Sequence, residues 1–182
     1  MTQRITGLYK FFIDKKSFSI NNAYYVLNPD YERVVYVDQP AFAVSKKLKF
    51  YADDMKYNTL FSVVQDQIVQ PINAKFTMYD ADDNPLAKFH ANLMDNLAKR
   101  NVTILTPDES PICQLVEESA VGGLLGALSG ANFLFLAQDD VLGKFLTGPN
   151  EEKMFTLELD PTKKLDQRVA LGAAIILYAR LI

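Results

Sequence analysis

Residues 75–90 read Lys75-Phe-Thr-Met-Tyr-Asp-Ala-Asp-Asp-Asn-Pro-Leu-Ala-Lys-Phe-His90. Two runs in which apolar and polar residues alternate flank an acidic segment that ends in proline. Alternation with aromatic and β-branched residues is typical of a strand that buries one face, and Asp, Asn and Pro are typical of turns. This stretch therefore predicts a β-hairpin.

The same layout returns along the chain. From residue 101 the chain reads Asn101-Val-Thr-Ile-Leu-Thr-Pro-Asp-Glu-Ser-Pro-Ile-Cys-Gln-Leu-Val116, in which the turn segment 108–111 aligns with 82–85. Further hairpins are predicted at 18–37, 48–64 and 133–145, followed by a last strand over 154–159. Consecutive hairpins favour a meander, and closing it removes exposed edges. We therefore predict a mainly β fold, a closed antiparallel β-barrel of about 10–12 strands.

The C-terminal segment has a different pattern. Asp160-Pro161 is typical of a helix start, so we expect a helix from there to Ile182. From Val169 to Ala179 every residue is apolar or Tyr, and eleven residues rise only about 16 Å, too short for a bilayer. A helix that is apolar all round needs a protein environment, and a barrel of this size has a lumen wide enough to supply one. We predict that the barrel encloses this helix; a β-sandwich with a docked helix is the alternative.

The composition narrows the classes of function. The chain has 182 residues, of which 49% are hydrophobic and 23% charged, as expected for one globular domain spanning residues 1–182. It contains one cysteine, Cys113, and one histidine, His90, which removes disulfide frameworks and Cys- or His-rich metal sites. The net charge of −3 gives no basic field for nucleic acid. We expect no cofactor, no metal and no catalytic residues, and therefore no enzyme.

One internal stretch has the length and lack of charge of a possible transmembrane segment. Residues 119–138 carry no charge, but they contain four glycines and have acidic residues on both flanks, and their second half has the pattern of a strand. We therefore expect no transmembrane segment there. The first ten residues lack the pattern of a secretory signal, so we expect a cytoplasmic location, with peripheral membrane association as an option.

The densest basic cluster is the best candidate for a binding site. It consists of Lys46, Lys47 and Lys49, with smaller pairs at 15–16 and 163–164. Lysines can hold phosphate head groups at an anionic surface, although they also protect strand edges. The acidic pairs at 53–54, 82–83, 108–109 and 139–140 could bind calcium, but their recurrence in every hairpin favours turn chemistry.

The chain resembles the tubby C-terminal-like superfamily, and within it the phospholipid scramblase and LURP-one-related branch. The resemblance rests on Tyr9-Lys-Phe-Phe-Ile13 leading to Phe18-Ser-Ile20, and on Phe155-Thr-Leu-Glu-Leu-Asp160 followed by Arg168-Val-Ala-Leu-Gly-Ala-Ala-Ile-Ile-Leu177. It implies a barrel around a hydrophobic C-terminal helix over nearly the whole chain. Residues 148–154 lack the acidic series associated with calcium in scramblases, so the resemblance does not imply calcium dependence.

The function that the resemblance implies is binding without catalysis. The expected ligand is an anionic phospholipid head group at a membrane surface, or a protein partner. The alternative is a scramblase-like membrane protein that translocates lipid; an enzyme with an unrecognised pocket is the last option.

Overall fold

The computed structural model describes residues 5–16, 22–39, 47–66, 73–92, 101–118, 132–147 and 154–181. These residues form twelve strands and one long helix. In chain order the elements are β1 (Lys10–Lys15), β2 (Asn22–Leu27), β3 (Arg33–Gln39), β4 (Lys47–Tyr51), β5 (Thr59–Gln65), β6 (Asn73–Asp80), β7 (Pro85–Asn92), β8 (Asn101–Leu105), β9 (Pro111–Glu117), β10 (Asn132–Ala137), β11 (Asp140–Thr147), β12 (Met154–Leu159) and α1 (Gln167–Leu181).

The twelve strands form a closed antiparallel barrel. Each strand pairs with its neighbours in the sequence, and β12 pairs with β1 to close the sheet, with Leu157 opposite Phe11. The two repeated segments form the hairpins β6–β7 and β8–β9, in which Phe76 lies opposite Phe89 and Ile104 opposite Cys113. The predicted barrel is confirmed, and the sandwich alternative is wrong because the sheet closes on itself.

Helix α1 fills the lumen of the barrel. The side chains from Ala173 to Tyr178 are at most 1% exposed, although they point in every direction around the helix axis. The ring of Tyr178 contacts Tyr24 on β2 and Phe155 on β12, whereas Gly172 faces Phe89 on β7. A helix that contacts strands so far apart around the barrel is enclosed by it. The prediction that the barrel surrounds its own C-terminal helix is confirmed.

The start of this helix differs from the prediction. Asp160 and Pro161 open a turn instead, in which the Asp160 side chain accepts a hydrogen bond from the Thr162 backbone N–H at 2.8 Å. The helix begins at Gln167, and Asp166 is its N-cap, because its Oδ1 accepts the Arg168 backbone N–H at 2.8 Å. The prediction of a start at Asp160 was wrong because an Asx turn and a helix cap use the same Asp side chain geometry.

Three of the hairpin turns share one construction. Asp80 Oδ1 accepts the backbone N–H groups of Asp82 and Asn84, and the Asp83 backbone N–H bonds to the Asp80 carbonyl oxygen. Asp83 has a φ of 61°, the left-handed conformation that closes the turn. Asn28 and Thr106 occupy the position of Asp80 in two other hairpins. The prediction that these carboxylates belong to turns is confirmed.

The remaining predictions about connecting segments have different outcomes. Residues 132–137 form strand β10, so the strand-like half of the uncharged stretch is confirmed; residues 119–131 and 148–153 lie outside the described residues. Within the described ranges, no helix has both the length and the apolar character needed to cross a membrane.

Candidate functional site: a cation-ringed tyrosine face

The predicted lysines lie on the outer wall of the barrel. In β4 the side chains of Leu48 and Phe50 point into the core and are at most 4% exposed, so the alternating Lys47 and Lys49 point outward, where they are half-buried. Lys46 lies outside the described residues. Helix α1 occupies the lumen of the barrel. A ligand such as the predicted phospholipid head group would therefore bind to the outer surface of the described barrel.

Three tyrosines lie next to these lysines on the same wall. Tyr25, Tyr36 and Tyr51 project from the outer faces of β2, β3 and β4, and the strand registers place them directly side by side. The ring centroids of Tyr25 and Tyr36 are 5.4 Å apart, and those of Tyr36 and Tyr51 are 6.5 Å apart. We call this surface the tyrosine face. Its rings pack over Ala23 and form a small apolar cluster separate from the barrel core.

Three cations surround the rings of the tyrosine face. The guanidinium carbon of Arg33 lies 4.0 Å from the centroid of Tyr25. The Lys16 ammonium lies 5.5 Å from the ring of Tyr25 and 5.7 Å from that of Tyr36. The Lys56 ammonium lies 5.6 Å from the ring of Tyr36. Cations within about 6 Å of a ring face are attracted by its quadrupole, which is how several like charges share one surface.

The lysines and the tyrosine face are joined by one register row. The backbone N–H of Lys16 bonds to the carbonyl oxygen of Ala23, Ala23 lies opposite Asp38, and Asp38 lies opposite Lys49. Along this row Lys16 and Lys49 are separated by three strand spacings, which amount to about 14 Å. One outer wall of the barrel therefore carries five basic side chains: Lys16, Arg33, Lys47, Lys49 and Lys56.

Carboxylates neutralise part of this charge. Asp38 forms an ion pair with Lys56 at 2.9 Å, and the Tyr25 hydroxyl donates to Asp54 at 3.3 Å. Hydrogen bonding to Asp38 raises the pKa of Lys56 above its ordinary value. Hydrogen bonding to Tyr25 likewise raises the pKa of Lys16 above its ordinary value. Burial raises the pKa of Tyr36, although Lys56 and Lys16 act in the opposite direction.

A shallow cleft opens at the edge of the tyrosine face. It has a volume of about 90 Å³, and its lining includes Tyr25, Arg33 and Asp54. The adjoining hairpin turns carry three apolar side chains that are at least 63% exposed: Tyr31, Met55 and Tyr57. Exposed apolar side chains and Arg33 thus lie at the same end of the barrel wall, beside the hairpin turns.

The smaller basic pairs have different locations. Lys16 belongs to the tyrosine face, but Lys163 lies after β12, at the end of the barrel that carries the hairpin turns, and pairs with Asp140 at 3.0 Å. The structure therefore places Lys16 on the wall that carries Lys49, whereas Lys163 lies beside β11 and β12. Arg33, Lys56 and the tyrosines were missed in the sequence, because only the strand register reveals that they share a wall with Lys49.

The single histidine and cysteine occupy opposite faces of the sheet. Cys113 is 4% exposed on the inner face of β9, and burial raises the pKa of its thiol to about 12, so a thiolate is unfavourable there. His90 is half-buried on the outer face of β7. Within the described part of the chain, no group of three His, Cys, Asp or Glu side chains could hold a metal ion.

Comparison with protein-family models and with curated proteins finds no significant match for this chain.

Proposed function

We propose that this protein is a non-enzymatic binding domain that engages the anionic head groups of phospholipids at a membrane surface. The observation that carries the proposal is the convergence of Lys16, Arg33 and Lys56 on two adjacent tyrosine rings. Lys47 and Lys49 extend the same wall. The resemblance to the scramblase and LURP-one-related branch supports this choice of ligand.

The chemistry of the tyrosine face suits the boundary between water and lipid. Tyrosine rings prefer this boundary because one end is apolar and the other polar, and lysine stems lie along apolar surface while their ammonium groups stay in water. A basic side chain near an anionic membrane contributes about 1 kcal/mol of attraction. Of the five cations on this wall, Lys56 is engaged by Asp38, which leaves Lys16, Arg33, Lys47 and Lys49 as the main contributors.

The proposal does not extend to lipid translocation. The apolar side chains of helix α1, such as Ile175 and Leu177, are already buried by the barrel, so the barrel would have to open before they could contact lipid. A protein partner is a second candidate, favoured by the exposed Tyr31, Met55 and Tyr57 beside Arg33. Tyrosine and arginine are over-represented where protein interfaces derive most of their binding energy.

The test is flotation with vesicles of phosphatidylcholine, alone and with added phosphatidylserine. We expect the full chain to float only with the anionic vesicles. The double variant Lys47→Gln/Lys49→Gln should partition about 25-fold more weakly, at about fivefold per lost charge. The matched control Lys144→Gln/Lys163→Gln removes two charges elsewhere and should float like the unmodified chain. Absence of flotation with anionic vesicles, or an equal loss in the control, would contradict the proposal.

A further inference from the structure

A second cavity lies on the outer wall of β6, β7 and β8, with β5 between it and the tyrosine face. Its volume is about 270 Å³. The inward-pointing Ala74 and Ala91 contribute only their outer surface, because their side chains are 2% exposed and belong to the core. The outward-pointing side chains that line it are all polar: Asn73, Lys75, His90, Asn92, Asn101 and Thr103.

These six side chains form two rows across three strands. In one row Lys75 lies opposite His90, which lies opposite Thr103. In the next row Asn73 lies opposite Asn92, which lies opposite Asn101. The first row offers two basic groups and a hydroxyl, and the second offers three amides. Among the described residues that line the cavity there is no carboxylate, and Lys75 gives it a positive side.

The side chains of the first row have hydrogen-bond donors that are not used within the described structure. Within the described ranges, the side chains of Lys75, His90 and Thr103 have neither an ion-pair partner nor a hydrogen-bond partner. The neighbouring carboxylate, Glu109, is engaged by Lys88 at 2.7 Å. An anion in this cavity would therefore meet three donors, and Glu109, which interacts electrostatically with Lys75 and His90 but is hydrogen-bonded to Lys88, is the neighbouring acceptor that it competes with.

The second row contains a buried acceptor that lacks a donor. Asn92 Oδ1 is inaccessible to solvent and accepts no hydrogen bond from the part of the chain that the structure describes. Because this oxygen is closed off in the unliganded chain, the Asn92 amide has to rotate before a ligand O–H or N–H group can donate to it. The new hydrogen bond then offsets the cost of a buried carbonyl oxygen that lacks a donor. This requirement is independent of the positive charge in the first row.

We propose that the cavity binds a small hydroxylated oxyanion, such as a sugar phosphate or a sugar acid. The phosphate or carboxylate oxygens accept hydrogen bonds from Lys75, His90 and Thr103. The hydroxyl groups bond to the Asn row, because an amide both donates and accepts hydrogen bonds, as a hydroxyl does. The volume lies just below the range of about 300–1,000 Å³ that holds drug-sized ligands, which suits a single sugar ring.

This site is separate from the proposed membrane-binding wall, and its test does not depend on that proposal. Because the chain has one histidine, the ring Cε1–H of His90 gives a single NMR signal inside the cavity. The full chain is titrated at constant pH with glucose 6-phosphate, gluconate, inorganic phosphate and glucose. We expect a saturable shift of the His90 signal with glucose 6-phosphate or gluconate, with a Kd about tenfold below that of phosphate, and no shift with glucose.

Three variants measure the contribution of each row to binding separately. Lys75→Met should raise the Kd for glucose 6-phosphate about tenfold. Asn92→Ala should remove the advantage of glucose 6-phosphate over inorganic phosphate while leaving phosphate binding unchanged. Lys144→Met, which replaces an exposed lysine on β11, is the control and should change neither value. Lys75 is exposed, so its replacement leaves the fold intact.

Three results would overturn the proposal. The first is the absence of a saturable shift with either hydroxylated anion. The second is equal affinity for glucose 6-phosphate and inorganic phosphate in the unmodified chain. The third is a loss in Lys144→Met as large as that in Lys75→Met. The response to glucose 6-phosphate against gluconate identifies whether a phosphate or a carboxylate is preferred.

Discussion

The ring of Tyr178, near the end of helix α1, lies 5.2 Å from the ring of Tyr24 on β2, and both side chains are 1% exposed. The two rings meet in the lumen, where the helix contacts the barrel wall. Burial raises the pKa of Tyr24 to about 12 and raises the pKa of Tyr178 further. The contact between helix and wall therefore depends on both phenols remaining neutral.

This pair predicts alkaline destabilisation. The unfolded phenols ionise near pH 10, whereas the folded ones stay protonated, so the unfolding free energy falls as pH rises above about 10. Each group contributes about 1.4 kcal/mol per pH unit in that range. Urea unfolding between pH 8 and about 11 should show a shallower fall for Tyr178→Phe than for the unmodified chain. Parallel curves would mean that Tyr178 ionises equally in both states.

Two buried glycines, Gly172 and Gly143, should respond in opposite directions to replacement by alanine. A Cβ on Gly172 would lie 3.4 Å from the Phe89 ring, an ordinary contact, so Gly172→Ala should stabilise by about 0.5–1 kcal/mol through higher helix propensity. A Cβ on Gly143 would lie 2.6 Å from the Glu158 carbonyl oxygen, so Gly143→Ala should destabilise. Chemical denaturation measures both variants. A destabilised Gly172→Ala would show that the lumen has no room for one more methyl group.

The N-cap of helix α1 should contribute to acid sensitivity. Burial alone would raise the pKa of Asp166, but hydrogen bonds from the side chain and backbone of Arg168 outweigh it and hold the pKa below its ordinary value. The stabilisation is present above the unfolded pKa of about 3.9 and is lost as pH falls through the folded value.

Two replacements of Asp166 separate its charge from its capping role. Asp166→Ala should cost about 1–2 kcal/mol at neutral pH, whereas Asp166→Asn keeps the cap acceptor and should cost less. Both should flatten the acid limb of the stability curve, measured by denaturation from neutral pH downward. An acid limb that is unchanged in Asp166→Asn would contradict the assigned role of the carboxylate.

The hairpin turns provide a matched pair of aspartates. Asp80 accepts two backbone hydrogen bonds within its turn, whereas the exposed Asp82 only supplies one of the N–H groups. Asp80→Ala should therefore destabilise by about 1–2 kcal/mol, and Asp82→Ala should stay within about 0.5 kcal/mol of the unmodified chain. Thermal unfolding compares the two. If added calcium raised Tm in the unmodified chain but not in Asp80→Ala, the turn interpretation would be wrong.

Strand patterns predicted most of the architecture because they are local. Alternation and turn residues placed the hairpins, and the helix without a polar face required an enclosing sheet. The start of that helix was misplaced because Asp160 and Asp166 carry the same signal, and packing of the helix in the barrel selects Asp166. In the candidate site, the outward position of Lys47 and Lys49 can be predicted from their alternation with Leu48. The side chains that lie beside these lysines on neighbouring strands cannot be predicted in this way.

By itself, the sequence determined the strand order, the acidic turns and the need to bury residues 169–179, since each depends on residues close together in the chain. Only the tertiary structure decided which outward side chains meet. Lys16 and Lys56 are 40 positions apart (56 minus 16), yet both ammonium groups lie within 5.7 Å of the Tyr36 ring. Asn73, Asn92 and Asn101 are also far apart in the sequence, yet they lie side by side on three adjacent strands. The physical reason is that cross-strand register is set by barrel closure and core packing, which act on the whole sheet at once.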